Sequence, residues 1–401
     1  MIPTNFEPAM EVIEKLQQSG HQAYIVGGAI RNYLLNEDVN DIDIATSAIP
    51  KEVQSIFEQV IPVGIEHGTV IVRHLKQSFE VTTFRSEKGY SDFRRPDQVE
   101  FVDSIEIDLS RRDFTINAMA MSKDGLLIDP FGGDSDLKKR LIRAVGEPVR
   151  RFTEDPLRML RAIRFISQLN FKLEPLTYQE IKANAYLIEK LSIERIAIEL
   201  EKLIQGKAIK KALRYGHEAN VFNYLPIFKE HSQLIEAMLS IQKPLQSIIV
   251  LFSYLSIFSE QNIAIIDWSK AYRLSNKEKN KGKLLVELIQ LYRKDQLSKW
   301  LAYQLPTSLT EHFIELVELV LEEKIDAKAL KKIKKNLPIQ HRNEILFDGN
   351  DLMALFPERS KGPWIRDYLA KLERHIIEGN VVNHHEQIKE WIKSCPPPEN
   401  L

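Results

Sequence analysis

Two aspartates separated by one residue follow a glycine pair near the start of the chain. The segment GGAIRNYLLNEDVNDIDIAT (27–46) ends one predicted strand at Gly27–Gly28 and places Asp41 and Asp43 in the next. Because residues i and i+2 of a strand point to the same face, the two carboxylates are expected side by side. Carboxylates that close repel each other unless a cation neutralises them, and hard oxygen ligands suit Mg²⁺ that also binds substrate phosphates. The pattern predicts Asp41 and Asp43 as catalytic residues and magnesium ligands.

Three further groups in this part of the chain fit work on a nucleoside triphosphate. Gly28 lets backbone amides approach phosphate oxygens, Arg31 can make a charge-assisted contact to the triphosphate, and Glu80, in FEVTTF, is the candidate third catalytic carboxylate. Two metal ions ~3.5–4 Å apart would lower the pKa of a primer 3′-hydroxyl and stabilise the leaving pyrophosphate. The alternative is structural, since a glycine pair is more often a turn and a single strand glutamate is equally compatible with a solvated position.

A second motif, RRDFTINAMAM (111–121), is predicted to lie on a helix over 104–121. Asp113 and Asn117 would then share a face, because they are four residues apart. A carboxylate beside an amide can hold a ribose 2′-hydroxyl, and Arg112 can reach a phosphate. The alternative is an ordinary first turn of a helix with capping charges.

A third motif, TEDPLRMLRAIRFISQL (153–169), is predicted to be a helix capped by Thr153. Asp155 and Arg158, three residues apart, project side by side and can bind a base. The carboxylate accepts from the amino group of cytosine or adenine while the guanidinium donates to the adjacent ring acceptor. Guanine and uracil place a carbonyl at that position and are rejected. Glu154 is placed to hold Arg158 by a salt bridge.

Arg161 and Arg164 continue this basic row at steps of three residues and are predicted to approach the triphosphate. An apolar row lies beside it, formed by Leu157, Leu160, Ile163 and Ile166. The alternative is an amphipathic helix with a solvated charged face.

These motifs need a sheet followed by helices, and the hydrophobic periodicity predicts both. The predicted strands are AYIV (23–26), DIDIA (41–45), TVIVRHL (69–75), FEVTTF (79–84) and LLID (126–129). The predicted helices before residue 150 are 6–18, 51–59 and 104–121. After residue 150, apolar residues recur at helical spacing over 155–169, 193–205, 232–241, 312–335, 364–378 and 384–394. We therefore expect an α/β part with a mixed sheet and an all-helical remainder, in more than one domain.

The composition excludes several classes of protein. The 55 Lys and Arg residues are balanced by 56 Asp and Glu, so overall charge does not indicate nucleic acid and any RNA surface must be local. The single cysteine, Cys395, excludes an intrachain disulfide framework and a Cys-rich zinc site. Neither a secretory signal nor a run of ~18 to 20 apolar residues is found. We expect a cytoplasmic protein that does not bind a membrane.

The combined motifs resemble those of the bacterial class II CCA-adding enzymes, tRNA nucleotidyltransferases of the polymerase-beta superfamily. The matching stretches are GGAIRN…DIDIAT, RRDFTINAMA, LIDPFGG, EDPLRMLRAIRF, IERIAIEL, FDGNDLM and Lys361 to Ile392. The resemblance implies an α/β nucleotidyltransferase head with a mixed sheet (1–148), followed by an all-helical neck (149–206), body (207–297) and tail (298–401). It implies Mg²⁺ as the cofactor, CTP and ATP as substrates, and tRNA as the partner that receives CCA without a nucleic-acid template.

The resemblance also implies roles for single residues. Asp41 and Asp43 would bind Mg²⁺, Asp155 and Arg158 would pair with the incoming base, and the nucleotide would contact Gly28, Arg31, Arg112, Arg161 and Arg164. Segment 86–99 resembles the family's flexible loop, which helps to switch preference from CTP to ATP.

Two residues depart from the family's GGxxRD and LLG patterns. Asn32 keeps polarity at the first position, and Asn36 tolerates left-handed backbone at the second. We therefore expect activity to survive both changes.

The 3′ end of tRNA is expected to reach the head, while phosphate contacts to the tRNA elbow are expected from the helical tail. The candidates are Lys324, Lys328, Lys331, Lys332, Lys334, Lys335, Arg342 and Lys361. A solvated charged face is the alternative.

Three other functions stay open at this point. Segment 86–99 argues against a CC-adding enzyme of a split CC/A system, because such relatives tend to lack a complete flexible loop. The A-adding specialist of such a system is therefore the stronger alternative. A bacterial poly(A) polymerase shares the head motifs, but VGIEHGTVIV (63–72) is of the CCA type. A non-catalytic RNA-binding relative would be expected to lack one of the paired aspartates. The sequence does not decide between a monomer and a homodimer.

Overall fold

The structure is a computed structural model that describes residues 6–39, 41–93, 96–259 and 263–396. It contains two compact units. The first is formed by the chain up to Ile248 together with Ala271–Arg273, and the second by Ile249–Lys270 and the chain from Leu274 onwards. The finer division into head, neck, body and tail stays a prediction.

A mixed sheet forms the base of the first unit. Its strands are β1 (Ala23–Val26), β2 (Asp43–Thr46), β3 (Val60–Gly64), β4 (Thr69–His74), β5 (Gln77–Thr83), β8 (Ala120–Met121) and β9 (Leu127–Ile128). They lie in the order β3-β4-β5-β2-β1-β8-β9, and β2 runs parallel to β5 while the other neighbours are antiparallel. A separate hairpin joins β6 (Arg85–Lys88) to β7 (Gln98–Phe101), and β10 (Leu141–Ile142) pairs in parallel with β11 (Lys172–Leu173). The predicted α/β class is confirmed. The sequence patterns did not predict β3 or the short strands β6, β7, β8, β10 and β11.

One face of this sheet is buried, and the other is open only in part, because Val26 and Ala45 on that side pack in a buried cluster with Ile105 and Leu109. Val70 and Val81 are fully buried on the side covered by α1 (Glu7–Gln18) and α3 (Pro50–Ile56). Alternate residues of a strand point to opposite faces, so Glu80 lies on the other side and is exposed. We call this side, which carries Glu80, the open face.

The predicted helix over 104–121 is wrong. The helix α4 covers only Ile105–Ser110, and the chain then forms a bridge from Phe114 to Ala144 and a 3-10 turn over Thr115–Asn117 before entering β8. The backbone N–H of Thr115 donates to the carbonyl of Arg143 at 2.9 Å instead of to a residue four positions earlier. Long-range backbone pairing has replaced the helical bonds that the local spacing indicated.

The helices of the first unit surround the third motif. They include α2 (Gly28–Leu34), α5 (Gly133–Lys138), α6 (Pro148–Glu154), α7 (Leu157–Leu169), α8 (Pro175–Asn184), α9 (Ile193–Ile204), α10 (Ile209–Glu218) and α11 (Gln233–Leu239). Thr153 does not cap α7, since it lies in the last turn of α6, where its hydroxyl donates to the carbonyl of Val149 at 2.9 Å. Pro156 has no N–H to continue α6, so the chain turns at Asp155 and a new helix begins.

The remaining helices confirm the predicted all-helical character of the later chain. They are α12 (Ile248–Phe258), α13 (Ile265–Ala271), α14 (Asn276–Asp295), α15 (Lys299–Gln304), α16 (Thr310–Leu321), α17 (Ala327–Lys335), α18 (Gly349–Leu355), α19 (Pro363–Glu378) and α20 (His385–Ser394). A single helix over 312–335 is wrong, because Glu322 adopts a left-handed φ of 57° that ends α16. Among the described residues, no helix is both long and apolar enough to cross a membrane. The cytoplasmic location stays a prediction.

Candidate active site

Asp43 and Glu80 are direct neighbours across β2 and β5 on the open face. The parallel register places Asp43 opposite Glu80, which confirms that Glu80 lies beside the aspartate pair. Asp41 comes two residues before β2, and it is exposed, like Asp43, while Ile42 between them is buried. The alternation brings the three carboxylates to the same side of the sheet.

Asp43 and Glu80 on the open face carry raised pKa values. Partial desolvation raises the pKa of Asp43, and the charge of Asp41 acts in the same direction while Arg112 opposes it. Desolvation also raises the pKa of Glu80, and the next contribution comes from Asp43. These groups are therefore short of positive charge, and a bound dication would relieve both effects.

The chemistry of this donor set fits magnesium. Asp41, Asp43 and Glu80 offer hard anionic oxygens, which Mg²⁺ prefers. Within the part of the chain that the structure describes, no three His, Cys, Asp or Glu side chains already converge as a metal site. Mg²⁺ is commonly held by one or two carboxylates together with substrate phosphates, so the aspartates and a triphosphate would complete the site together.

At the glycine pair Gly27–Gly28, Arg112 comes close to β2. Gly27 has a φ of +73°, and a Cβ built there would lie 2.9 Å from Nη1 of Arg112 and 4.0 Å from Oδ2 of Asp43. A side chain at position 27 would therefore displace the guanidinium. Gly28 is the first residue of α2, and the closest approach occurs at Gly27 rather than at the predicted Gly28.

Asn117 connects Arg31 to Asp113. Its amide oxygen accepts from Nη1 of Arg31 at 2.5 Å, and its amide nitrogen donates to Oδ1 of Asp113 at 3.0 Å. The other oxygen of Asp113 accepts from Nε of Arg161 at 2.8 Å. Asp113 and Asn117 are thus in contact, as expected, although a 3-10 turn and not a helix brings them together.

The carboxylate of Asp113 has a full set of donors. Oδ1 accepts from the backbone N–H of Phe114 and from Asn117, while Oδ2 accepts from Nε and Nη2 of Arg161. Burial alone would raise the pKa of Asp113, but Arg161 and the Asn117 hydrogen bond hold it well below its ordinary value. A carboxylate offers about four acceptor positions, so a ribose 2′-hydroxyl would have to displace one of these donors.

Three arginines surround the ring of Phe165 on α7. The guanidinium carbons of Arg164, Arg31 and Arg161 lie 4.3, 5.1 and 5.5 Å from its centroid. The ring face attracts cations, which offsets part of their mutual repulsion. Nε of Arg164 also lies 2.7 Å from Oε2 of Glu199, a residue of α9 that the sequence did not indicate as part of the site. Burial lowers the pKa of Arg31 to about 10, so this side chain stays charged at neutral pH.

These side chains border a cavity of about 430 Å³. Its lining residues are Arg31, Arg111, Arg112, Asp113, Asn117, Asp155, Leu157, Arg158, Arg161, Arg164, Phe165 and Arg195. Among these described residues, seven arginines stand against two aspartates, which suits a polyanion such as a triphosphate. Of the predicted nucleotide-binding residues, Gly28 and Glu154 lie outside the lining.

Arg158 is fixed at the border of the cavity. Nη1 lies 3.2 Å from Oε2 of Glu154 and 3.3 Å from the carbonyl of Arg151, while Nη2 donates to the carbonyl of Arg111 at 2.9 Å. The predicted salt bridge from Glu154 is confirmed. The guanidinium plane is therefore held by groups from three places in the chain.

Asp155 pairs with a residue that sequence reasoning missed. Oδ2 of Asp155 accepts from Nη2 of Arg195 at 2.7 Å, and Oδ1 accepts from the backbone N–H of Leu157 at 3.1 Å. Asp155 and Arg158 both line the cavity, and the side chain of each bonds to other residues, while the backbone N–H of Arg158 donates to the carbonyl of Asp155 at 3.1 Å. Arg195 lies in the motif IERIAIEL on α9, and that motif was the available signal for its importance.

Segment 86–99 forms most of the β6–β7 hairpin, apart from Arg94 and Arg95, which lie outside the described residues. Oε1 of Glu87 is 3.2 Å from Nη1 of Arg111, which lines the cavity. The hairpin is thereby tied to the arginine cluster. A switching role for this segment stays a prediction.

The two departures from the family pattern have local explanations. Asn36 adopts a φ of 54°, which confirms the expected left-handed backbone. Oδ1 of Asn32 accepts from Nε and Nη2 of Arg31 at 3.2 and 2.9 Å. Asn32 thus orients Arg31 without supplying a charge.

Three stretches of the chain match known families. Residues 23–143 match the poly A polymerase head domain, residues 170–232 match a probable RNA and SrmB-binding site of polymerase A, and residues 240–392 match a putative second domain of tRNA nucleotidyltransferases. Over 404 residues, the chain is 44% identical to the CCA-adding enzyme of Oceanobacillus iheyensis, with 100% of both chains covered. It is 41% identical to the CCA-adding enzyme of Bacillus cereus strain Q1, with 97% of this chain and 98% of that one covered.

The fold matches a solved structure over nearly the whole chain. The crystal structure of the Bacillus stearothermophilus CCA-adding enzyme in complex with CTP superimposes with a TM-score of 0.87, at 34% identity and with 98% of each chain covered. The structural similarity thus includes both the α/β part of the chain and the helices that follow it. The chain belongs to the CCA-adding enzyme family of tRNA nucleotidyltransferases.

Proposed function

We propose that this protein adds or repairs the 3′-terminal CCA of tRNA from CTP and ATP without a nucleic-acid template. The observation that carries the proposal is a single cavity in which arginines able to hold a triphosphate lie beside Asp155 and Arg158. The Bacillus stearothermophilus relative binds CTP, which supports nucleotide binding in the matching fold.

The reaction is nucleotidyl transfer at the open face. The 3′-hydroxyl oxygen of the RNA forms a bond to the α-phosphorus, the bond from that phosphorus to the bridging oxygen breaks, and pyrophosphate leaves. Asp41 and Asp43, assisted by Glu80, would hold Mg²⁺ there. When bound, a pair of such ions lowers the pKa of the hydroxyl and stabilises the leaving group.

The arginines bind and orient the triphosphate. Their charges face the cavity. Arg31 donates to Asn117, Arg161 donates to Asp113, and Arg164 forms an ion pair with Glu199, and these contacts set their positions. Positioning and charge stabilisation are the main contributions that a protein makes to phosphoryl transfer. The phosphate-binding residues are Arg31, Arg112, Arg161 and Arg164, with backbone approach at Gly28.

Asp155 and Arg158 select the base. The Asp155 carboxylate accepts from the amino group of cytosine or adenine, and Arg158 donates to the neighbouring ring nitrogen. Arg195 holds the carboxylate in place from α9. A uracil or guanine carbonyl would meet the carboxylate with repulsion, so one pair accepts C and A.

The tRNA elbow would contact the lysine-rich helix α17. Lys328, Lys331, Lys332 and Lys335 are exposed, whereas Nζ of Lys334 donates to the carbonyl of Leu305 at 2.6 Å and is half-buried. Lys334 therefore supports the fold rather than a phosphate. The four exposed lysines of α17 are the phosphate contacts that we propose.

A direct test uses purified protein with Mg²⁺ and three tRNA transcripts that end at the discriminator base, at C and at CC. CTP and ATP are supplied separately and together, and products are resolved at single-nucleotide length. We expect all three transcripts to be completed to CCA, and UTP and GTP to be rejected. Extension of the CC-ended transcript alone, by one A, would make the protein an A-adding specialist. Absence of any extension would contradict the proposal.

A further inference from the structure

A row of side chains crosses the open face from the sheet edge to the catalytic carboxylates. The registers place Ile61 opposite Ile71, Ile71 opposite Glu80, and Glu80 opposite Asp43. Strands lie ~4.8 Å apart, so Ile71 is about 5 Å and Ile61 about 10 Å from Glu80 along the row. Ile61 is 38% exposed. Two large apolar side chains, Ile71 and Ile61, therefore lie in one row with Glu80 and Asp43, and the row ends at the exposed sheet edge.

Basic side chains lie next to this apolar row. Arg73 comes two residues after Ile71 on β4 and is therefore on the same face, about 7 Å further along the strand. Lys76 follows in the β4–β5 turn, and both Arg73 and Lys76 are exposed. Two cationic side chains thus lie at the β4–β5 end of the apolar row, in a protein with no net basic charge.

The apolar surface of β3 also reaches the nucleotide site. Val63 is 54% exposed and lines a cavity of about 510 Å³ that is shared by Asp155 and Arg158. An RNA chain whose last base stacks on a nucleotide in that cavity, with its 3′-hydroxyl at Glu80, would therefore pass over β3 and β4.

We propose that the open face of β3 and β4 binds the last nucleotides of the RNA that is being extended, an inference that rests on the proposed function. Ile61 and Ile71 pack against a base, because apolar side chains can replace stacking on a neighbouring base. Arg73 and Lys76 neutralise the phosphates of the same nucleotides. This surface specifies no base.

A second copy of the chain fits this edge less well. The β3 ladder shifts register between Pro62 and Gly64, and such an irregularity opposes the addition of another strand at a sheet edge. Apolar side chains next to arginine and lysine suit a partner with flat bases and negative phosphates.

The test compares Ile61→Thr, Ile71→Thr and Arg73→Gln with the wild type, using a CC-ended tRNA transcript and ATP. Threonine keeps a β-branched side chain, so the strands are retained. We expect the KM for tRNA to rise about tenfold in each variant, as for loss of one stacking or phosphate contact. The KM for ATP at saturating tRNA stays unchanged. Arg73→Gln also lowers the slope of log affinity against log salt by about 1.

Matched controls lie in the turn between β8 and β9, at the opposite edge of the same sheet. Leu126 is 69% exposed and Lys123 is exposed, so Leu126→Thr and Lys123→Gln make equivalent changes and should leave the KM for tRNA unchanged.

The inference is overturned if the wild type extends tRNA and the β3–β4 variants have the same KM for tRNA as these controls. A change in oligomeric state by sedimentation with an unaltered KM for tRNA also overturns it, because it would assign the surface to a second copy. A wild type that extends no tRNA contradicts the proposed function first and removes the basis of the inference. If an isoleucine variant unfolds, Arg73→Gln decides the outcome, because its side chain is exposed.

Discussion

The acidic residues of the open face and those of the arginine cavity have opposite electrostatic environments. Asp43 and Glu80 lie side by side with raised pKa values, because each is partly desolvated and each feels another carboxylate, Asp41 in the case of Asp43 and Asp43 in the case of Glu80. Asp113 is also buried, but its pKa is lowered because Arg161 and Asn117 bond to it. One group lacks its counter-charge until a cation binds, and the other carries its counter-charge within the fold. Under the proposed function, this difference separates the residues that would act on the reacting phosphate from those that orient the arginines.

The largest effect should follow from changing the open-face carboxylates. Asp41→Ala or Asp43→Asn should lower the rate of nucleotidyl transfer by on the order of 10³-fold or more, because the proposed metal ligands are lost. Binding of tRNA should be retained. Single-turnover kinetics and a separate tRNA-binding measurement check this, with Asp124→Asn in the exposed β8–β9 turn as the control. Retained transfer in both variants would contradict the catalytic assignment.

The buried carboxylate of Asp113 should contribute to the free energy of unfolding. Asp113→Asn leaves Arg161 without its buried partner, which should cost about 3 kcal/mol. The folded pKa of Asp113 lies below the unfolded value of about 3.9, so its contribution is full above that pH and is lost as the pH falls towards the folded pKa. Hydrogen exchange of peptides from α7, compared between wild type and variant at each pH, measures the difference. We expect the difference in protection between wild type and variant to shrink below pH 4, and a difference that grows there would contradict the prediction.

Base selection should depend on the pair at the cavity border. Asp155→Ala or Arg158→Ala should reduce the preference for CTP over UTP by about 10²-fold, because a specific base contact is worth ~1–3 kcal/mol. Triphosphate affinity should change less, since the arginines remain. Competition between the two nucleotides on a C-ended transcript gives the ratio. Unchanged selectivity in both variants would exclude this pair as the base-reading site.

A smaller effect is expected from the residue that holds Asp155. Arg195→Gln should lower base discrimination by about tenfold, because the carboxylate loses its orientation. Arg195→Lys should recover part of it, since it keeps the charge but loses the planar fork. Arg273→Gln is the matched control. It breaks a 2.6 Å ion pair between Arg273 and Glu194, the residue next to Arg195 on α9. Equal effects of Arg195→Gln and Arg273→Gln would indicate a purely structural role.

Local patterns predicted the groups whose partners lie close in sequence. The strand 23–26 and the salt bridge from Glu154 to Arg158 are both present. The first depends on the two-residue alternation of a strand, and the second on the four-residue spacing of neighbours on a helix. The helix over 104–121 failed because Thr115 bonds to a distant segment. The role of Arg195 could not be predicted in the same way, because its partner is 40 residues away and the packing of α7 on α9 brings them together.

The central claim is that the open-face carboxylates take up a divalent cation and the cavity carboxylates do not. Electron paramagnetic resonance with Mn²⁺ as the probe, in the presence of CTP and without tRNA, measures binding to the wild type, Asp43→Asn and Asp155→Asn. The account predicts that Asp43→Asn weakens Mn²⁺ binding at least about tenfold, as expected for loss of a charged ligand, and that Asp155→Asn leaves it unchanged. Equal weakening in both variants, or none in Asp43→Asn, would contradict it.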